Sequence, residues 1–279
     1  GPSGSGKTFT ALELAKYITT KPGAVAVVDS EHGSAAKYAD LFAFDVCSVT
    51  GNYDPARVST FIEDAAKAGY ELLIFDSLTH FWNGPGGFLE LVDEEVKRMR
   101  ARGGKPDSFA AWKTVDPIYK RMVQAILNAP LHVIVTLRAK TEHVRETDPN
   151  SGRTTVRKVG LAPEIRDTFQ YEMDVEGMLD MEHNLVIGKT RCFALNQKVF
   201  SPPGKELAGI LAHWLSDGAV PAPIVAPPPA PETVEPAAPV DPIVSGADLK
   251  ALAATCKAVE ASHGTGTVRP RPSISLPWS

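Results

Sequence analysis

Residues 1–8 read Gly-Pro-Ser-Gly-Ser-Gly-Lys-Thr, a full G-x-x-x-x-G-K-[ST] run that opens directly onto a helical pattern. Glycines at positions 1, 4 and 6 let the backbone turn tightly, so that successive N–H groups point inward at an anion with the dipole of the following helix behind them. Such a loop fits a triphosphate. On this reading the stretch Gly1, Pro2, Ser3, Gly4, Ser5, Gly6, Lys7, Thr8 and Phe9 holds the phosphates, Lys7 reaches the β- and γ-phosphates, and Thr8 ligates magnesium. The bland alternative is a Gly/Ser turn before a helix. A loop of this kind ordinarily follows a buried strand, and the sequence starts on its first glycine. The expectation is therefore a sheet lacking its first strand and a chain that is a fragment of a longer protein.

Working outward, residues 1–217 alternate short apolar runs with helical patterns, the signature of an α/β domain with a mainly parallel sheet flanked by helices. The spacing predicts helices over 7–18, 55–68, 87–102 and 111–128, and buried strands over 24–29, 72–76 and 131–137. A weaker strand is expected over 44–49, and a late hairpin over 171–179 and 184–187. Residues 218–244 are rich in Pro and Ala and read as an extended linker; residues 245–279 read as a short helix and a disordered tail. Ligands of parallel α/β sheets collect at the carboxyl ends of the strands, so polar residues there are site candidates.

Two carboxylates stand out on that criterion. Asp76 ends the run Leu-Leu-Ile-Phe-Asp, where a nucleoside triphosphatase needs a group to hold magnesium together with Thr8, and Ser77 follows it. Glu31 lies just past the 24–29 strand in Asp29-Ser30-Glu31-His32, where a carboxylate can orient and deprotonate water near a γ-phosphate. Their alternatives are a strand-capping Asp and a solvated loop acid. The order of phosphate loop, Asp29-Ser30-Glu31-His32 and Phe75-Asp76-Ser77 resembles the RecA-like recombinase ATPases over roughly residues 1–200. The resemblance implies a RecA-like P-loop core that hydrolyses ATP with Mg2+, with Glu31 as the catalytic carboxylate. Members of that family carry a polar amide in the 131–137 strand to sense the γ-phosphate. This sequence has Thr136-Leu137-Arg138, which makes Thr136 the sensor-position residue with Arg138 as competitor. That departure is closer to the shorter AAA-type and RecA-like ATPases of phages, which resemble single-strand-annealing or recombination proteins.

The resemblance also implies a homo-oligomer with ATP at subunit interfaces. Lys189 and Arg191, a K-x-R pair on an extended segment, match the place of cationic fingers that reach a neighbour's γ-phosphate; the alternative is a solvated strand edge. Between Arg138 and Gly160, six basic residues stand against three acidic ones around the turn sequence Asp148-Pro-Asn-Ser-Gly152. That pattern predicts a projecting hairpin, which either contacts the phosphates of single-stranded DNA or is a charged surface hairpin without stacking aromatics. Phe81, Trp82, Phe88, Phe109 and Trp112 form a second aromatic-rich insert, offering stacking faces or helix packing.

A formal net charge of −4 gives no global nucleic-acid signature, so DNA contact would have to come from local patches. Three widely spaced cysteines disfavour a disulfide framework or a zinc site and fit a cytoplasmic setting, bacterial or phage-infected. No apolar run approaches a membrane span. The sequence reading is thus a magnesium-dependent ATPase acting in phage-type recombination, annealing or repair, with a possible single-strand-binding protein held by the tail. The competing reading is a nucleotide-switched scaffold that does not use DNA.

Overall fold

The computed structural model describes residues 1–103, 107–147 and 154–216, with side chains of 141–159 left aside. The linker and tail expected over 218–279 lie outside the described residues, as does the turn at 148–152. In chain order the elements are α1 (Lys7–Ile18), β1 (Val25–Asp29), β2 (Asp45–Ser48), α2 (Arg57–Lys67), β3 (Leu72–Asp76), α3 (Thr79–Asn83), α4 (Phe88–Ala101) and α5 (Ser108–Leu127). Then come β4 (His132–Val135), β5 (Ala139–Thr147), β6 (Thr154–Pro163), α6 (Phe169–Glu172), β7 (Val175–Leu179), β8 (Leu185–Thr190), β9 (Val199–Phe200) and α7 (Lys205–Leu215).

Strands β2-β1-β3-β4, in that spatial order, form one parallel sheet. Its two central strands are buried at every position, as their unbroken apolar runs require. Successive side chains alternate faces. Val25, Val27, Leu72 and Ile74 pack with Ala11, Leu12 and Ala15 of α1, whereas Ala26, Val28, Leu73 and Phe75 join α2, α4 and α5 on the other side. Phe61, Phe75 and Phe81 are fully buried there, each stabilising the fold by about 1.5–3 kcal/mol. The result is the expected α/β core, a four-stranded parallel sheet between helical layers.

Strands β5 and β6 form the expected antiparallel hairpin, paired from Ala139↔Pro163 to Thr147↔Thr154 with a register shift between Glu142 and His143. A three-stranded antiparallel sheet, β7-β8-β9, packs its Leu179, Leu185, Ile187 and Phe200 against α7 and Leu14 of α1. One element differs from the sequence reading: Tyr171 lies in the short helix α6, so β7 starts only at Val175. Cys192 is a buried free thiol. Among the described residues no helix is long and apolar enough to cross a membrane.

Candidate functional site

The loop before α1 turns through Gly4 and Gly6, whose φ values of 83° and 85° are strained for any residue with a Cβ. Gly1 is sewn to the stretch just past β4: the Ala139 N–H donates to the Gly1 carbonyl at 3.0 Å, and the Gly1 nitrogen donates to the Leu137 carbonyl at 3.1 Å. A Cβ at Gly1 would meet the Leu179 carbonyl at 2.6 Å, so this close approach requires glycine. Lys7 folds back over the loop and donates to the Pro2 carbonyl at 2.7 Å. Burial lowers its pKa, opposed by the charges of Glu31 and Asp76 and reinforced by that of Arg138.

Register places Asp29 and Asp76 side by side at the ends of β1 and β3. Asp76 is buried and accepts the Thr8 hydroxyl at 2.7 Å on one oxygen and the Thr136 hydroxyl at 2.6 Å on the other. Three residues from distant parts of the chain thus meet at one carboxylate. Hard carboxylate and hydroxyl oxygens suit Mg2+, and Thr8 and Asp76 are the residues that would hold it. Among the described residues no cluster of three His, Cys, Asp or Glu could hold a metal alone. Magnesium commonly takes the rest of its ligands from substrate phosphates and water, so this donor set fits the ion.

Asp29 builds the loop that carries Glu31. Its oxygens accept the backbone N–H of Glu31 at 2.7 Å and of Ala35 at 3.0 Å. Burial raises the Asp29 pKa, while these N–H donors pull it down. Glu31 accepts the Ser77 hydroxyl at 2.9 Å and Arg138 Nε at 2.9 Å on Oε1, and Arg138 Nη2 on Oε2. Burial alone would raise the Glu31 pKa; the hydrogen bonds from Arg138 and Ser77, with the Arg138 charge, outweigh it and hold the carboxyl below its usual range.

Behind Glu31 runs a second network. The Ser30 hydroxyl donates to the Ser77 carbonyl at 2.8 Å and accepts the Ser77 N–H at 2.9 Å. With that proton committed, His80 Nδ1, 2.7 Å from Ser30 Oγ, is the donor in their bond. The His80 ring stacks on Tyr53 at 5.1 Å between centroids, and burial lowers its pKa.

Lys7, Thr8, Glu31, Asp76 and Arg138 face one cavity of about 750 Å³. Its far wall is aromatic and proline-rich: Phe9 stands edge-on to Tyr38 at 5.9 Å and to Phe42 at 5.4 Å, and Phe9, Tyr38, Pro202 and Pro203 line the space. His183, on the β7–β8 turn, leans over the loop, close enough that a Cβ at Gly6 would lie 3.3 Å from its Nδ1. Ala139 and Glu164, at the foot of the β5–β6 hairpin, also border the cavity.

The structure does not bring every candidate here. Lys189 and Arg191 do not line this cavity. The Lys189 ammonium donates to the carbonyls of Gln170, Tyr171 and Met173 at the end of α6, and Arg191 pairs with Asp174 at 2.6 Å. The aromatic insert mostly packs inward: Phe81 and Phe88 are buried and Trp82 stacks on Trp112 at 5.6 Å, while Phe109 is 71% exposed. Sequence reasoning missed Asp29, the Ser30–His80 pair, Tyr38 and His183. For Asp29 the signal was present, a polar residue closing a buried strand; the others depend on contacts far apart in sequence.

A family model described as an AAA domain matches residues 1–201. Comparison with curated proteins and with solved structures gave no match.

Proposed function

We propose, from the premise that this chain belongs to the AAA-domain family, that it is a magnesium-dependent ATPase working on single-stranded DNA in recombination, annealing or repair. Family membership itself implies ATP binding and hydrolysis. The observation that carries the residue assignment is the convergence of Lys7, Thr8, Asp76 and Glu31, from three separate elements, on one cavity. In this reading the backbone of residues 1–8 and Lys7 cradle the phosphates and Thr8 and Asp76 hold the cation, which offsets the phosphate charge. Thr136 fixes Asp76 from behind, and Glu31 orients the attacking water and takes its proton. The base lies against the Phe9–Tyr38 wall.

Support for a DNA role comes from placement. The basic β5–β6 hairpin rises from Ala139 and Glu164, which also border the cavity. An occupant of the cavity therefore lies beside the foot of the hairpin. Oligomerisation is part of the proposal: the Arg191–Asp174 ion pair, with side chains 54% and 57% exposed, lies open to a neighbouring subunit. Measuring ATP hydrolysis with and without single-stranded DNA across a salt series tests the reading. Stimulation that fades as salt rises supports it, since phosphate contacts release counterions. Hydrolysis indifferent to DNA at every salt concentration would instead favour the nucleotide-switched scaffold.

A further inference from the structure

Among the described residues, the three-stranded sheet and its connections contribute His183, Pro202 and Pro203 to the cavity wall. Of these only the histidine has a side chain that can hydrogen-bond a ligand. The β7–β8 turn runs along the phosphate loop in step with its glycines. A Cβ built on Gly4 would lie 3.7 Å from Met181 Cε, and one built on Gly6 would lie 3.3 Å from His183 Nδ1 and 3.9 Å from its Cε1. The turn is constructed to hold that ring in place. Asp180 accepts the Asn184 N–H at 2.8 Å on one oxygen and the Asn184 side-chain amide at 2.9 Å on the other, and its own N–H donates to the Asn184 carbonyl at 3.0 Å. Asn184 in turn accepts the Ser201 hydroxyl, which ties the turn to the segment that carries Pro202 and Pro203 on the same wall. His183 itself takes a φ of 64°, a left-handed backbone uncommon outside glycine, and such outliers gather at ligand clamps. Its ring has no hydrogen-bond partner among the described residues, whereas Lys7, Thr8, Glu31, Asp76 and Arg138 each have one. The backbone is fixed from several sides, and the imidazole nitrogens are uncommitted.

We propose that His183 is a nucleotide-binding residue, its imidazole donating a hydrogen bond to the inner phosphates, the α- and β-groups seated against Gly6. This rests on the ATPase reading above. In a loop of this kind the backbone N–H groups cradle the α- and β-phosphates, while the lysine reaches on to the β- and γ-groups. A side chain beside Gly6 therefore meets the part of the ligand that a diphosphate and a triphosphate share. Imidazole carries an N–H donor whether neutral or charged, so the contact is available in either form. A bond from a donor to an ionised phosphate is stronger than one between neutral groups. The donors of the first sheet hold the phosphates from the loop side, and His183 adds one from the second sheet. A bound nucleotide thus ties the four-stranded sheet to the three-stranded one, with the β7–β8 turn as the point of attachment. The opposing view is that the ring does no more than pack on the Gly6 backbone, and the two differ in what its removal does to stability.

The test is equilibrium binding of ADP and of a non-hydrolysable ATP analogue, with thermal unfolding alongside, for the full chain and for His183→Ala, His183→Gln and His183→Gly. His183→Ala should weaken ADP and the analogue by the same factor, about five- to tenfold, the loss of one hydrogen bond to a charged group. His183→Gln keeps an N–H donor and should recover most of that loss. His183→Gly removes the ring but suits the left-handed backbone, so both nucleotides should bind as weakly as in His183→Ala while the Tm measured without nucleotide does not fall. Unchanged affinity for both nucleotides in His183→Ala would overturn the assignment, and so would a loss confined to the triphosphate analogue. A Tm in His183→Gly that drops together with binding would overturn it as well, since the ring would then be packing alone. If His183→Ala fails to fold, His183→Gly decides by itself. Failure of the parent chain to bind either nucleotide would sink the ATPase reading itself, a distinct result.

Discussion

Lys7 at the start of α1 and Arg138 just past β4, beside the four-stranded sheet, and Lys189 on β8 and Arg191 just past it, in the three-stranded one, are the same residue types in opposite circumstances. The first pair borders a cavity, and its partners are a single backbone carbonyl and a carboxylate. In the second pair, Lys189 is committed to three carbonyls at the end of α6, and Arg191 to Asp174. A basic residue gains a ligand role where the backbone leaves it near a space rather than near its own unsatisfied acceptors. The K-x-R spacing alone could not reveal this, because α6 supplies the acceptors and the sequence reading took that stretch for strand.

The largest effects should fall on the first sheet. Lys7→Ala is expected to weaken nucleotide binding by more than about 100-fold, the loss of charge-assisted contacts to phosphate. Glu31→Gln should keep binding and lose about 10²- to 10⁴-fold in turnover. Tight binding by the Lys7 variant, or normal hydrolysis by the Glu31 variant, would move the chemistry away from this sheet. On the second sheet, Lys189→Met should lower stability by about 1–3 kcal/mol, because three carbonyls lose a charged donor. Thermal unfolding checks this. A loss of turnover with an unchanged Tm would show instead that Lys189 acts across a subunit interface.

The smallest effect is on pH dependence. Arg138 and Ser77 hold the Glu31 pKa down, so the base stays ionised as pH falls, and the acid limb of kcat/KM should lie below the ordinary carboxylate range of about 4.3. Arg138→Gln leaves burial as the main influence on Glu31, so the limb should move to higher pH. An acid limb that did not move would mean that another group sets it.

What was legible in the sequence followed from local constraints. Residues 1–8 fix their own backbone through Gly4 and Gly6, and the runs at 25–29 and 72–76 are apolar enough to be buried strands in any context. Glu31 and Asp76 were found because the parallel-sheet rule says where such strands end. The rest depended on pairs that no local window contains. Arg138 meets Glu31 across 107 positions, Thr136 meets Asp76 across 60, and Ser30 meets His80 across 50. Tyr171 was misplaced because its aromatic, half-apolar neighbourhood suits a strand, while the acceptor-rich end of α6 that holds Lys189 exists only in three dimensions.

The packed tryptophans have a use of their own. Trp82 and Trp112 lie nearly parallel, 22° between planes, and the Arg166 guanidinium sits 5.5 Å from the Trp112 ring, three residues past the end of β6. Stacked indoles at this separation couple their transition dipoles, and a cation against one of them shifts its emission. The protein thus carries a label-free optical reporter next to the foot of its basic hairpin, one that registers movement there without a dye, a tag or an added cysteine.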